Sequence, residues 1–322
     1  MFKQKLFVSS HAPFFHNGAS IVNRSLNTIL AALPAIFMGI YQYGLPAVAV
    51  ISLSISSALI WELIMNIAMK RDVSIGDGNA AVTGLLFAMM MPATTPWWAV
   101  ITGTFIAIVI GKQIWGGIGC NPLNPTLVAI AIITIAWKGL TDFDQALVGY
   151  NLGFNMIYPL GELKRFGASL VTNNDIKGLF MGMQAGGIGS AFGLGIVIGG
   201  VYLMLRGIIR WEISISFLFG IYVTALFFHQ ADPLKYADPM FHLVTGYTLL
   251  AAFFLITEDS SSPVNFIPMI LFGVMAGVMT VLIRNIGAYA DGTVFAILLL
   301  NVANPLLDKI RPVALGKGGV NA

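Results

Sequence analysis

Long apolar runs, interrupted only by glycine, proline and an occasional charge, limit most strongly what this chain can become. A helix that crosses a bilayer core needs about 20 predominantly apolar residues, fewer where it is broken or shielded by neighbours. Ten runs fit that description: 25–43, 46–68, 78–93, 96–112, 124–137, 184–205, 212–228, 241–257, 264–283 and 293–307. Of the 322 residues, 57% are hydrophobic and 10% charged, against about 25% charged in an ordinary soluble domain. No water-soluble fold hides so much apolar surface, so the chain is expected to be an all-α, polytopic membrane protein. The third, fifth and tenth runs are short and bounded by Gly, Asn or Pro, which predicts partial or tilted helices.

Lys and Arg placement orients such spans, because cytoplasmic connections carry the excess of basic residues. With the first residues in the cytoplasm, eleven basic residues fall inside and six outside, namely Lys138, Lys164, Arg165, Lys177, Lys235 and the awkwardly placed Arg284. Both termini are therefore expected in the cytoplasm. The expected organisation is a surface segment 1–24, a first membrane unit 25–137, an outer loop 138–183, a second unit 184–308 and a tail 309–322. Residues 1–24 carry Lys3, Lys5, His11, Pro13, His16 and Arg24 and lack the apolar core of a cleavable signal. The single Cys120 excludes an internal disulfide and an iron–sulfur cluster held by this chain's cysteines alone. The net charge of +3, without a basic tract, argues against nucleic acid. His11, His16, His229 and His242 show no pairing that would hold haem.

The two halves echo one another. VTGLLFAMMMPATTP from Val82 resembles VTGYTLLAAFFLITEDSSSP from Val244, and each is followed by a glycine-containing apolar span. Each half then reaches an Asn-Pro pair, Asn124-Pro125 and Asn304-Pro305. Five spans per half start the second half from the opposite side, which predicts a 5+5 inverted repeat with broken half-helices. Such folds place a site where freed backbone groups face a ligand rather than lipid. The plainer reading is that Thr-Gly and Asn-Pro are common punctuation of membrane helices.

Two acidic positions stand out. Glu62 lies within the second span, where a carboxylate is costly unless it faces water or a partner, so an ion-pathway role competes with snorkelling toward the surface. Glu258 closes the eighth span beside Asp259 and suits either cation entry or a solvated helix end. Trp97, Trp98, Trp137 and Trp211 read as interfacial anchors.

DGNAAVTGLLFAMMMPATTPWWAVITGTFIAIVIGKQIWGGIGCNPLNPTLVAI, from Asp77 to Ile130, resembles the signature region of the RnfD/NqrB family. FGVMAGVMTVLIRNIGAYADGTVFAILLLNVANPLLD, from Phe272 to Asp308, resembles that family's last two spans, and SSHAPFFHN and IIRWEISISFL fit as well. The length is closer to RnfD than to the longer NqrB. The resemblance implies a urea-transporter-like repeat fold in the bacterial inner membrane. It also implies a place in an Rnf-type complex that couples ferredoxin–NAD electron transfer to Na⁺ or H⁺ movement. The implied partners are an iron–sulfur membrane subunit pair and a flavin-bearing periplasmic subunit. The implied cofactor is flavin: FMN esterified to a threonine of the outer loop, and riboflavin held non-covalently in the membrane part.

At the family's threonine position this chain has Tyr158, followed by the retained Pro159-Leu160. The expectation is a lost covalent tether, with any FMN or riboflavin bound non-covalently. Phe166-Gly167-Ala168-Ser169 resembles the core of flavin-transfer motifs, which makes Ser169 an alternative acceptor, but the usual upstream Asp is missing. That stretch also reads simply as a helix-ending glycine and small loop residues. Asn121, Asn124 and Pro125 fit an N-capped helix start, and by resemblance they fit the polar edge of a flavin equally well. The competing classes are a solute channel or secondary transporter, which would be colourless and partner-independent, and a flavin-free structural subunit.

Overall fold

The computed structural model describes residues 20–150, 158–168 and 175–310, and these contain helices and turns but no strand. Helix α1 (Ile21–Tyr43) opens where the Ser20 hydroxyl accepts from the Asn23 amide and ends at Gly44, whose φ of +68° lets α2 (Leu45–Ala68) return antiparallel. Then follow α3 (Asn79–Met90), α4 (Trp97–Gln113) and α5 (Pro125–Ala136). Four short helices come next: α6 (Lys138–Thr141), α7 (Phe143–Ala146), α8 (Pro159–Phe166) and α9 (Ile176–Phe180). The chain continues with α10 (Gly193–Leu205), α11 (Trp211–Ala231), α12 (Pro239–Val244) and α13 (Thr248–Leu250), which runs on as wide turns over Ala251–Leu255. Last come α14 (Phe266–Asn285) and α15 (Thr293–Leu307).

By length and composition α1, α2, α11 and α14 can each cross a membrane. Helices α3, α4, α5, α10 and α15 are shorter and apolar. The start of α1 and the end of α2 define one face of the bundle. The α1–α2 turn and the segment carrying α6 to α9 define the other: the Gln42 amide donates to Gly182 O, and the Thr94 hydroxyl donates to Ala146 O.

Helices pack through small residues, as membrane helices do where no hydrophobic drive separates lipid from neighbour. Helix α2 lies along α3 and α4, α11 along α14, and α1 along α10. The α1–α10 crossing is so close that a Cβ at Gly199 would meet the Ala31 carbonyl.

Three sequence expectations need correction. The run 184–205 is helical only from Gly193, because Gly186, Gly187, Gly189 and Ser190 let the chain lie irregularly against the end of α3, where Ile188 N donates to Met91 O and Gly189 N to Met89 O. The run 241–257 is interrupted after Val244 and resumes at Thr248. The two Asn-Pro pairs are not equivalent either: Asn124 caps the start of α5, whereas Asn304-Pro305 lies inside the last turns of α15.

Candidate functional site

Two helices depart from α-geometry where they approach the first face. Helix α4 widens over Ile106–Gln113, with Ile114 N bonded to Val109 O, and α13 widens over Ala251–Leu255, with Ile256 N bonded to Ala251 O. Such i→i+5 turns cluster at functional positions because they re-aim side chains and release a carbonyl. The Leu255 carbonyl accepts instead from the Asn124 side chain at 2.9 Å, while Asn124 Oδ1 caps Leu127 N at 3.1 Å. Asn124 thus satisfies two main chains at once and locks the start of α5, where Pro125 sits in the first turn, to the broken helix.

Asn121 completes the junction. Its amide donates to Leu123 O at 3.0 Å and to Glu258 Oε1 at 2.7 Å. Glu258 also accepts from the Ser260 and Ser261 hydroxyls at 3.0 and 2.9 Å. Asn121, Asn124, Pro125 and Glu258, picked out separately in the sequence, line one cavity of about 860 Å³. Leu86, Leu203, Ile209, Phe253 and Phe254 give it apolar walls, and Lys112 reaches it from the widened turn of α4. At its mouth Arg24 is ion-paired with Asp259 and donates to Ile208 O.

Glu62 stands behind this cavity rather than in its wall. Its Oε1 accepts from Lys112 Nζ at 2.9 Å, Ser74 Oγ at 2.8 Å and Gln113 Nε2 at 3.2 Å, while Oε2 has no partner. The Glu62 side chain is 0% exposed and that of Lys112 2%, so neither snorkels. Asn66 extends the network to Ser74. Asp77, in the connection before α3, caps Asn79 N at 2.8 Å. Burial raises its carboxyl above the usual value, partly offset by the Asn79 N–H and by Lys112.

Tyr158 lies at the opposite face. Its main-chain N–H donates to Asp144 Oδ1 at 2.7 Å, and its ring packs 5.1 Å from that of Phe143. At 7% exposure, it is a core residue, and burial pushes its phenol well above the ordinary value. Ser169 falls outside the described residues.

A second buried cation sits near Tyr158. Arg284 pairs with Asp291 at 2.9 Å, and Tyr247 N donates to the other Asp291 oxygen at 2.8 Å. Burial alone would raise the Asp291 carboxyl, but Arg284, Thr293 and two main-chain N–H groups outweigh it and hold it below the usual range. Gly246 is required here: its φ is +67°, and an added Cβ would strike Asp291 Oδ2.

Sequence reasoning missed Lys112 and Gln113 as site residues. Lys112 looked like a charge at the end of a span, and only the widened turn carries it inward. Arg284 did leave a signal, as the basic residue that fitted orientation least well.

A sequence model described as the NQR2, RnfD, RnfE family matches residues 8–316 of the chain. The D-type subunit of the Na⁺-translocating ferredoxin:NAD⁺ oxidoreductase complex of Acetobacterium woodii is 35% identical over 303 residues, covering 94% of this chain and 91% of that protein. Its counterpart in the proton-translocating ferredoxin:NAD⁺ oxidoreductase complex of Clostridium ljungdahlii is 31% identical over 322 residues, covering 98% and 97%. The counterpart in the ion-translocating oxidoreductase complex of Pectobacterium carotovorum is 32% identical over 346 residues, covering 96% and 99%.

Proposed function

Because the chain belongs to the NQR2, RnfD, RnfE family, we propose that it is the membrane-embedded, flavin-carrying subunit of an ion-translocating ferredoxin–NAD-type oxidoreductase complex. It would lie in the bacterial inner membrane with both termini cytoplasmic, the orientation that assigns eleven of the seventeen Lys and Arg residues of the sequence to the inside. Its architecture would be ten spans in a 5+5 inverted repeat. The like pairing of α2 with α4 and α11 with α14, and of α1 with α10, supports that reading. The iron–sulfur membrane subunit pair and a flavin-bearing periplasmic subunit would be its neighbours. The coupling ion would be Na⁺ or H⁺, as in the relatives named for each.

The observation that carries the proposal is the cavity that gathers Asn121, Asn124, Pro125 and Glu258 between a polar side bearing Arg24, Lys112 and Arg206 and an apolar side formed by Phe253, Phe254 and Leu86. About 300–1,000 Å³ with a few convergent polar groups is the usual form of a cofactor pocket. The lining fits a flavin: the second N–H of the Asn124 side chain and the Asn121 side-chain oxygen suit the polar ring edge, and Phe253, Phe254 and Leu86 suit its faces. The outer loop fits covalent FMN poorly, since the Tyr158 ring is packed into the core.

A bound flavin supplies the electron chemistry, and the protein supplies position, insulation and charge. Asn121 and Asn124 orient the polar edge. Phe253 and Phe254 keep water from the ring. Lys112 and Glu258 set the field, and the Asn121, Ser260 and Ser261 donors fix the Glu258 carboxylate in place. Glu62, tied to Lys112, relays charge changes in the cavity toward the end of α2.

The test uses the purified complex in proteoliposomes with reduced ferredoxin and NAD⁺. Electron transfer should drive Na⁺ or H⁺ uptake only when this chain is present. Partner-independent solute uptake by the chain alone, with electron transfer intact in its absence, would replace the proposal with a transporter.

A further inference from the structure

At the second face the broken helix presents an oxygen-lined cage. The carbonyls of His242 and Thr245, the hydroxyls of Thr248 and Thr293 and the carboxylate of Asp291 converge on one point. Unwound carbonyls and half-helix C-terminal ends of this kind coordinate monovalent cations in membrane proteins. Here a guanidinium fills the space. Arg284 Nη1 donates to His242 O at 2.8 Å, and Nη2 contacts Thr248 Oγ1 at 2.8 Å, Asp291 Oδ1 at 2.9 Å, Thr293 Oγ1 at 3.1 Å and Thr245 O at 3.4 Å.

The placement is not what helix-end position alone would give. Arg284 is in the last turn of α14, two residues before the exposed Ile286, where a long basic side chain ordinarily snorkels to water. Its side chain instead turns inward and is 1% exposed. Lys164 stands behind it, with Nζ donating to the Arg284 and Gly287 carbonyls, so α8 pins the end of α14. The first face differs: there the cation at the end of α4 is Lys112, which borders an open cavity, and its partner Glu62 keeps one oxygen without a donor.

We propose that Arg284 is a tethered cation that plugs an oxygen cage at the helix break and seals the second face against leakage of monovalent cations. The inference rests on the ion-translocating reading, because only a chain placed across an ion gradient needs such a seal. With the guanidinium in place, an entering Na⁺ meets both an occupied cage and a like charge in a water-poor setting, where repulsion is strong. Without it, Asp291 and the four neutral oxygens form an anionic cage of the right chemistry for Na⁺. Ion passage is thereby confined to routes that begin at the first-face cavity.

The experiment measures passive entry of radioactive Na⁺ into proteoliposomes containing the assembled complex, with no electron donor or acceptor present. Flavin content and electron transfer therefore do not enter the result, and failure of the seal is distinguishable from failure of the redox role. The complex as isolated and its Arg284→Lys form should be tight. Arg284→Gln, which keeps an amide donor but no charge, and Arg284→Ala should both leak at least about tenfold faster, equivalent to roughly 1.4 kcal/mol of barrier. An assembled Arg284→Gln complex as tight as the parent would overturn the proposal. So would failure of both neutral variants to assemble while Arg284→Lys assembles, because that result assigns Arg284 to folding alone.

Discussion

Replacing Lys112 by Met tests whether the pair behind the cavity behaves as a buried ion pair. Glu62 Oε1 has three donors, one of them cationic, and Oε2 has none. With both side chains shielded from water, Lys112→Met leaves a carboxylate with two neutral donors and no countercharge. Removing one partner of a buried pair costs roughly 3–5 kcal/mol, far more than the net worth of the pair itself. At roughly 2–4 °C per kcal/mol for domains of 150–250 residues, the unfolding midpoint should fall by roughly 10 °C. Intrinsic-fluorescence melting of the detergent-solubilised complex reads this directly. The double variant Lys112→Met/Glu62→Gln removes both charges and keeps acceptors for Ser74 and Gln113, so it should recover most of the loss. A single variant that melts with the parent, or a double variant whose loss equals the sum of the two singles, would refute the reasoning.

Four further outcomes follow from the same geometry. Asn124→Ala removes the α5 cap and the bond to Leu255 O, so it should lower stability by about 1–3 kcal/mol; Asn121→Ala should spare the fold more and lower retained flavin, measured by absorbance after gel filtration. Asp291 has a carboxyl pKa held below its unfolded value, so its contribution is present above the unfolded pKa and is lost as pH falls through the folded one. The melting difference between the parent and Asp291→Asn should therefore be constant near neutrality and shrink in acid; a difference that grows in acid reverses the sign of the argument. On the proposed loss of the tether, Tyr158→Phe should leave flavin per chain unchanged, and mass spectrometry after denaturation should find no flavin at that position in the parent.

Much of the fold was legible because hydrocarbon sets a length and a polarity that few residues evade. Pro125 after Asn124 marked the start of α5, and Gly78 marked that of α3. The start of α10 was not legible: residues 184–192 carry no charge and run straight into the apolar helix, but their glycines let them pack as irregular chain while the Gln184 amide donates to Leu179, Ala191 and Val244 carbonyls. The residues that line the cavity were legible where their chemistry is local, as with the Asn121 and Asn124 amides and the Glu258 carboxylate. The Lys112–Glu62 pair joins residues fifty apart in sequence. It depends on a widened helix turn that shifts which side chain faces inward, and no periodicity count registers that shift. Arg284 looked like a misplaced surface charge because the oxygens it meets come from the helix break, the Asp291 loop and the start of α15.

Flavin analysis of the complex purified from its native membrane tests the central claim most directly. Acid extraction should release flavin that co-purifies with this chain, and the chain's band on a denaturing gel should stay dark under ultraviolet light. The Asn121→Ala chain should release less. A fluorescent band that survives denaturation would contradict the lost tether, and no flavin in either fraction would contradict the redox role assigned to the cavity.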